Sequence, residues 1–212
     1  IFDNYVDSYQ NRLDSNLLVD SDNKTVRSFE DRPTIFDVYG DFLEGKTIVD
    51  VCSGGGMPSY YLAARYGCRV VSVERAYNAL KYYGDKFRDY YGVNDQQVVR
   101  VCSDASKLPI LSESVDAVLG SSWLHHFTDK VYMLREARRV MRKGGLLLAH
   151  NEGTAGLFAF GTTSEDHYSS ASTYKKCLSE AGFVSTSVRP WSNHYWLARW
   201  VKASVDLVGV AP

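Results

Sequence analysis

What the sequence lacks narrows its chemistry first. Its four cysteines, Cys52, Cys68, Cys102 and Cys177, include no C-x-x-C pair, which suits reduced thiols better than a disulfide or zinc framework. No structural metal is expected. Charge of one sign is also missing: 24 Lys and Arg stand against 25 Asp and Glu, a formal net charge of -1. No broad electrostatic footprint for nucleic acid or anionic lipid follows from that balance. There is no apolar run long enough to span a bilayer, no secretory signal, no internal repeat and no low-complexity segment. These absences point to a soluble, cytoplasmic protein, monomer or homodimer, whose partner is a small molecule and neither nucleic acid nor membrane. The chain starts at Ile1, and a native beginning is expected to precede it.

What is present favours one core. The 212 residues, 45% of them hydrophobic, read as a single domain, 1–212, with a helical cap over 1–44 and a core over 45–212. In the cap, Tyr5, Tyr9 and Leu13 recur at i, i+4, i+8, and Phe36, Tyr39 and Leu43 at i, i+3, i+7, with the turn-like SDNKTVRS between them. Strand-like runs follow at TIVDVCS, CRVVSVE, QVVRVCS, VDAVLGSS, GLLLAHNE, VSTSVRP and HYWLARWVKA, mostly bounded by Gly, Asp or Ser. Helices fill the gaps. SYYLAARYG ends in a glycine cap at Gly67, and Leu80, Tyr83, Phe87 and Tyr90 share the core face of the next helix. Thr128 or Asp129 caps a third helix, which turns Leu134, Ala137 and Met141 inward and stops at Gly144-Gly145.

Strand and helix alternating in this way require right-handed crossovers, and therefore a parallel sheet covered on both faces. Only SNH separates the last two candidate strands, too short for a crossover, so the final strand is expected to return antiparallel as a hairpin. The expected fold is α/β, a Rossmann-like doubly wound sheet of seven strands, six parallel and one antiparallel. Ligands of open sheets bind beyond the carboxyl ends of the strands. At that edge lies TIVDVCSGGGMPSYY, an apolar run ending in Asp50, Cys52 and the glycines Gly54 to Gly56. As a dinucleotide loop the register is incomplete, because Ser59 stands where Gly or Ala is wanted.

The stretch instead resembles motif I of the class I S-adenosylmethionine-dependent methyltransferases, an acid followed by alternating glycines. Asp50, Gly54 and Gly56 occupy the matching places, and Cys52 stands where the family usually has its first glycine. Glu74 ends the second strand, 20 residues after Gly54, where a carboxylate can accept hydrogen bonds from both hydroxyls of an adenosine ribose. SDASKLP is similar to the family segment in which an acid, here Asp104, receives the adenine amino group and the next backbone amide meets the ring. VDAVLGSSWLHHFTD is similar to D-x-V-x-x-x-x-x-L-H-H, and RRVMRKGGLLLAHNE to R-V-L-K-P-G-G, with Arg142 and Lys143 in place of Lys-Pro. The resemblance spans about residues 45–200. It implies an enzyme with S-adenosylmethionine as cofactor, held by Asp50, Cys52, Gly54, Gly56, Glu74, Arg75, Asp104, Ala105 and Ser121. Asp50 is expected to orient the ammonium group, and the glycines to make room for the sulfonium. Displacement at a carbon activated by positive sulfur asks mainly for in-line positioning and exclusion of water.

The acceptor side is less marked. His125 and His126, His150 and His167 follow strands four and five, and a neutral imidazole can take a proton from a phenol, enol or amine. His126 and His167 are the candidate catalytic residues; Trp123, His125, Phe158 and Tyr168 are expected to line the acceptor pocket. The connection 154–171, 18 residues of TAGLFAFGTTSEDHYSSA, has the length of a lid, with Gly153, Gly156 and Gly161 as hinges. An N/D-P-P-Y motif of amino methyltransferases is absent after strand four, where GSSWLHH stands. The preferred acceptor is therefore a quinone-like or natural-product molecule methylated on carbon or oxygen. A non-catalytic binding module of the same fold, favoured by Cys52, and a nicotinamide oxidoreductase using the same sheet and Glu74 are the alternatives.

Overall fold

Apolar residues on both faces of each strand call for helices on both sides of the sheet, and the computed structural model shows this arrangement over the residues it describes, 34–154, 166–190 and 203–212. The strands are β1 (Thr47–Val51), β2 (Arg69–Glu74), β3 (Val98–Cys102), β4 (Val115–Ser121), β5 (Met141–Thr154), β6 (Val184–Pro190) and β7 (Ala203–Val210). They form one sheet in the order β3-β2-β1-β4-β5-β7-β6. Only β7 runs against its neighbours. Six parallel strands and one antiparallel strand agree with the expected fold class.

The helices are α1 (Ile35–Val38), α2 (Gly40–Leu43), α3 (Met57–Tyr66), α4 (Tyr77–Tyr91), α5 (Lys130–Val140) and α6 (Ala171–Glu180). Successive strand residues point to opposite faces, so Ile48 joins Leu43, Tyr60 and Phe87 in one cluster while Val49 joins Leu134, Tyr174 and Leu178 in the other. The β5 residues Leu146 and Leu148 pack with the first cluster, Leu147 and Ala149 with the second. Burial on both faces explains why the strands read as continuous apolar runs rather than as alternation.

Four expectations are corrected in detail. The antiparallel strand occupies Ala203–Val210, beyond all but the last residue of the expected HYWLARWVKA; SNH and the rest of that run lie outside the described residues. The wider resemblance stopped near residue 200, short of this strand. Residues 203–210 sit between β5 and β6 with ladders on both sides, a central position that suits the mostly buried SVDLVGV. Helix α5 ends at Val140, not at the glycine pair, because Met141 already pairs with Val115 in the sheet. A bulge follows: Gly144 adopts φ 75, and a Cβ on Gly145 would sit 2.9 Å from the carbonyl oxygens of Arg142 and Asp116. Tyr90 is 43% exposed and leaves the core face to Leu80, Tyr83 and Phe87. The cap helix over Phe36–Leu43 is interrupted at Tyr39 into α1 and α2. Tyr5, Tyr9 and Leu13 lie outside the described residues, as do Phe158, Gly156 and Gly161.

Candidate functional site

The carboxyl ends of β1 and β2 build the first half of the site. After Val51 the chain turns through three positive φ values, Cys52 at 51°, Gly54 at 56° and Gly56 at 80°, a path that favours glycine. The middle glycine has a different reason: a Cβ on Gly55 would collide with the Tyr83 side chain of α4. Gly56 leads into α3 as its N-cap, and a Cβ there would stand 3.0 Å from Ser72 Oγ. Two of the three glycines are thus demanded by the protein's own packing as well as by any ligand.

Asp50 is fully buried. Ser59 Oγ donates to its Oδ2 at 2.6 Å, which accounts for the residue that spoiled the dinucleotide register. Its Oδ1 has no hydrogen-bond partner among the described residues. Burial pushes the Asp50 carboxyl up to about 7, against the Ser59 hydrogen bond and with help from the Glu74 charge. A buried carboxyl that holds its proton above the ordinary range binds more protons folded than unfolded, so its contribution to stability falls as pH rises from about 4 to 7. Glu74 grips the loop rather than standing free. Its Oε2 accepts from Gly54 N (2.9 Å), and its Oε1 from Arg75 N and Ala76 N (both 2.8 Å). Three of roughly four acceptor positions are used, so one lies open and a bidentate ribose contact requires an amide to let go.

Asp104, after β3, accepts from Ser106 N at 2.8 Å, and this bond, with Arg75 3.9 Å away, holds its carboxyl below the usual range. Ala105 beside it is buried. Glu74, Arg75 and Asp104 are therefore brought together with the glycine loop, as their spacing implied, and Ser121 ends β4 on the same edge, paired with His150.

Cys52 carries the departure from the family pattern, and its backbone is left-handed at a non-glycine residue. Burial and the charges of Glu74 and Asp50 push its thiol well above the ordinary value, so it stays protonated at neutral pH and is no thiolate nucleophile. Cys52→Gly removes a backbone cost of roughly 1 kcal/mol or more and adds about 0.5–1 kcal/mol of chain entropy. The expected outcome is a melting temperature within a few degrees of wild type and affinity for S-adenosylhomocysteine that is equal or tighter. A variant that binds normally but no longer turns over would show that the thiol takes part in chemistry.

The ends of β4 and β5 build the second half. Ser122 and Asn151 both adopt left-handed conformations, φ 53° and 54°, and are tied by Ser122 N to His150 O (2.8 Å) and Asn151 Nδ2 to Ser122 Oγ (3.1 Å). Behind them lies Glu152, fully buried, which the sequence did not single out. Its carboxylate accepts Trp123 N (2.8 Å), Leu124 N (3.0 Å) and His125 N (3.3 Å) and meets His125 Nδ1 at 2.9 Å. It closes the amino end of the 3-10 turn Leu124–His126. Polar residues ending an apolar strand, as in LLLAHNE, were the available signal.

The predicted acceptor residues separate. His125 and His126 lie ring to ring at 4.2 Å, and Tyr168 stacks on His125 at 4.9 Å with 17° between planes. A Cβ on Gly153 would collide with that tyrosine ring, so the hinge expected there is a seat for Tyr168. Burial, with the neighbouring His125, depresses the His126 imidazole below its ordinary value. His167 sends its ring to Thr128 Oγ1 (3.2 Å) at the start of α5, and its N–H donates to His125 O (2.6 Å); Asp166, not the His167 ring, approaches His126. His150 is buried and paired with Asp206 on β7 at 2.9 Å, 5.4 Å from the Phe36 ring. Trp123 is 1% exposed and packs in the core against Gly120 and Phe127 rather than on an open wall. Of the connection 154–171, residues 155–165 lie outside the described residues.

Strand order sets this sheet apart from the common dinucleotide fold. A dinucleotide fold of the common type is parallel throughout, in the order 3-2-1-4-5-6, whereas here an antiparallel strand enters between β5 and β6. A family profile described as a methyltransferase domain matches residues 49–149. Residues 49–149 are similar to a methyltransferase domain, and the fold is that of the class I S-adenosylmethionine-dependent enzymes. It is 31% identical over 103 residues to 27-O-demethylrifamycin SV methyltransferase of Amycolatopsis mediterranei (strain S699), covering 49% of this chain and 37% of that one. With demethylmenaquinone methyltransferase of Mycobacterium sp. (strain KMS) it shares 28% over 165 residues, 76% of this chain and 67% of that one. Among solved structures, phosphoethanolamine N-methyltransferase 2 of Haemonchus contortus, in complex with S-adenosyl-L-methionine, superposes with a TM-score of 0.68 at 16% identity, over 84% of this chain and 51% of that one. The match thus spans well under half of the rifamycin enzyme's length. S-adenosylmethionine is the cofactor of the family.

Proposed function

We propose that this methyltransferase moves the methyl group of S-adenosylmethionine to a small organic acceptor, quinone-like or of natural-product type, at carbon or oxygen. The observation that carries the reading is the pairing of two unlike groups of residues on one sheet edge. At β1 to β3 stand a glycine loop, a buried carboxyl with an oxygen lacking a partner, and the acids Glu74 and Asp104. At β4 and β5 stands an imidazole pair braced by a buried glutamate. The first group fits the cofactor. Gly54 and Gly56 pass the methionine portion, the open position on Glu74 Oε2 accepts one ribose hydroxyl, and Asp104 receives the adenine amino group. Asp50 is sealed from solvent and acts through its field, favouring the cationic groups nearby. The bound cofactor supplies a methyl carbon already made electrophilic by positive sulfur. His126, held neutral by burial, takes the proton of a phenol or enol acceptor, while Tyr168 and His125 shape the approach.

The relatives that act on demethylrifamycin and demethylmenaquinone support an acceptor of this class. A binding module that transfers nothing is the second reading, and the strained Cys52 is the feature in its favour. Two measurements test the proposal. Calorimetry on purified protein should show S-adenosylmethionine binding with net proton release near pH 6, because positive charge beside Asp50 favours its ionised form; Asp50→Asn should abolish the release. No binding at millimolar concentration sinks the cofactor assignment. A screen of phenolic, quinol and polyketide acceptors with methyl-labelled cofactor should then yield labelled product, and binding without transfer to any of them favours the module.

A further inference from the structure

The imidazole pair and its surroundings hold more than a proton acceptor needs. Donor atoms of His125, His126 and Asp166 all lie within 4.8 Å of one another. We propose that these three side chains form a binding site for one divalent transition-metal ion of the Zn2+, Co2+ or Ni2+ kind, a function beyond the methyl-transfer reading and one that, while the ion is bound, takes His126 out of the role of base. Bonds of about 2.0–2.2 Å place donors on one ion roughly 3–4 Å apart, so closure asks for side-chain rotations of about 1 Å. His126 Nδ1 and Asp166 Oδ1 are already at 3.4 Å.

Outer partners make the set more than a chance cluster. Glu152 faces His125 Nδ1 at 2.9 Å; a carboxylate only accepts, so Nδ1 carries the proton and Nε2 presents the ring's lone pair. This is the carboxylate–histidine arrangement that orients imidazole ligands and raises their basicity. Tyr168 Oη donates to Asp166 Oδ2 at 3.0 Å, leaving Oδ1 on the His126 side, and the Tyr168 ring stacks on His125. Two imidazoles and one carboxylate select borderline dications over Mg2+ or Ca2+. Three protein ligands leave at least one position for water or for an oxygen of a chelating molecule, as in sites that do chemistry rather than hold a fold. The lack of paired cysteines excludes a thiolate framework and is silent on this set.

The test uses the full chain, stripped with a chelator and titrated with Zn2+ against a chromophoric competitor and with Co2+ by its visible absorption. One equivalent is expected to bind. His126→Ala and Asp166→Asn should each weaken it at least tenfold. Glu152→Gln presents an amide donor to Nδ1, forces the proton to Nε2 and should weaken binding about 10- to 100-fold with unchanged circular dichroism. If that variant does not fold, the two partly exposed ligand positions carry the test alone. Cys102→Ser, at an exposed thiol, should leave binding unchanged. No bound metal, binding that survives both His126→Ala and Asp166→Asn, or binding lost in Cys102→Ser overturns the site. S-adenosylhomocysteine affinity measured on the same samples separates this failure from failure of the cofactor assignment.

Discussion

Glu152→Ala should lower the melting temperature of this protein by roughly 6–20 °C, the largest effect expected of any single change near the site. Removal of the carboxylate leaves Trp123 N, Leu124 N and His125 N, together with His125 Nδ1, without their acceptor in a place sealed from water. Breaking a buried charged network by deleting one partner costs about 3–5 kcal/mol, and each kcal/mol shifts the midpoint by about 2–4 °C in a chain of this size. Glu152→Gln should cost far less. Its amide oxygen still accepts from Trp123 N and Leu124 N, and its nitrogen can donate to His125 Nδ1 once the imidazole changes tautomer. Thermal melts of the two variants check the pair of expectations; equal melting of wild type and Glu152→Ala would mean that the 3-10 turn finds other acceptors.

Glu74→Ala should weaken S-adenosylhomocysteine binding about 10- to 150-fold, the 1.5–3 kcal/mol typical of a hydrogen bond to a charged group. Two losses combine in it. The ribose loses its acceptor, and Gly54, whose N–H lies 2.9 Å from the carboxylate, loses the anchor that holds its φ near 56°. Because Glu74 is only partly buried, water replaces it on the amides and the stability change stays small. Calorimetry with circular dichroism as control measures this, and unchanged affinity in a folded variant removes Glu74 from the site. Glu74→Gln retains one acceptor oxygen and should fall between the two.

Much of this was legible from local pattern. The apolar runs of β1 to β6, the glycine cap at Gly67 and the Asp129 cap, which accepts from Tyr132 N at 2.9 Å, each depend on a few neighbouring residues. The acids at the ends of β2 and β3 could be placed for the same reason: a strand end is a local event, and parallel strands bring their carboxyl ends to one edge. Asp50, Gly54, Glu74 and Asp104 were placed at one sheet edge in this way. Cys52 was noticed as a departure, although its positive φ was visible only in the fold.

The sequence by itself determined the alternation of strands and helices, the glycine turn after β1 and the order in which acids and histidines reach the binding edge, since each follows from residue type and short spacing. Only the tertiary structure decided where the antiparallel strand lies, that Glu152 braces His125 across 27 residues and that His150 pairs with Asp206 across 56. It also decided that Asp50 is sealed behind Ser59 and that Tyr168, not the His167 ring, meets the histidine pair. Contacts between strands distant along the chain leave no periodicity in either partner. Burial, which raises the proton affinity of Asp50 and lowers that of His126, exists only once the chain has closed around them.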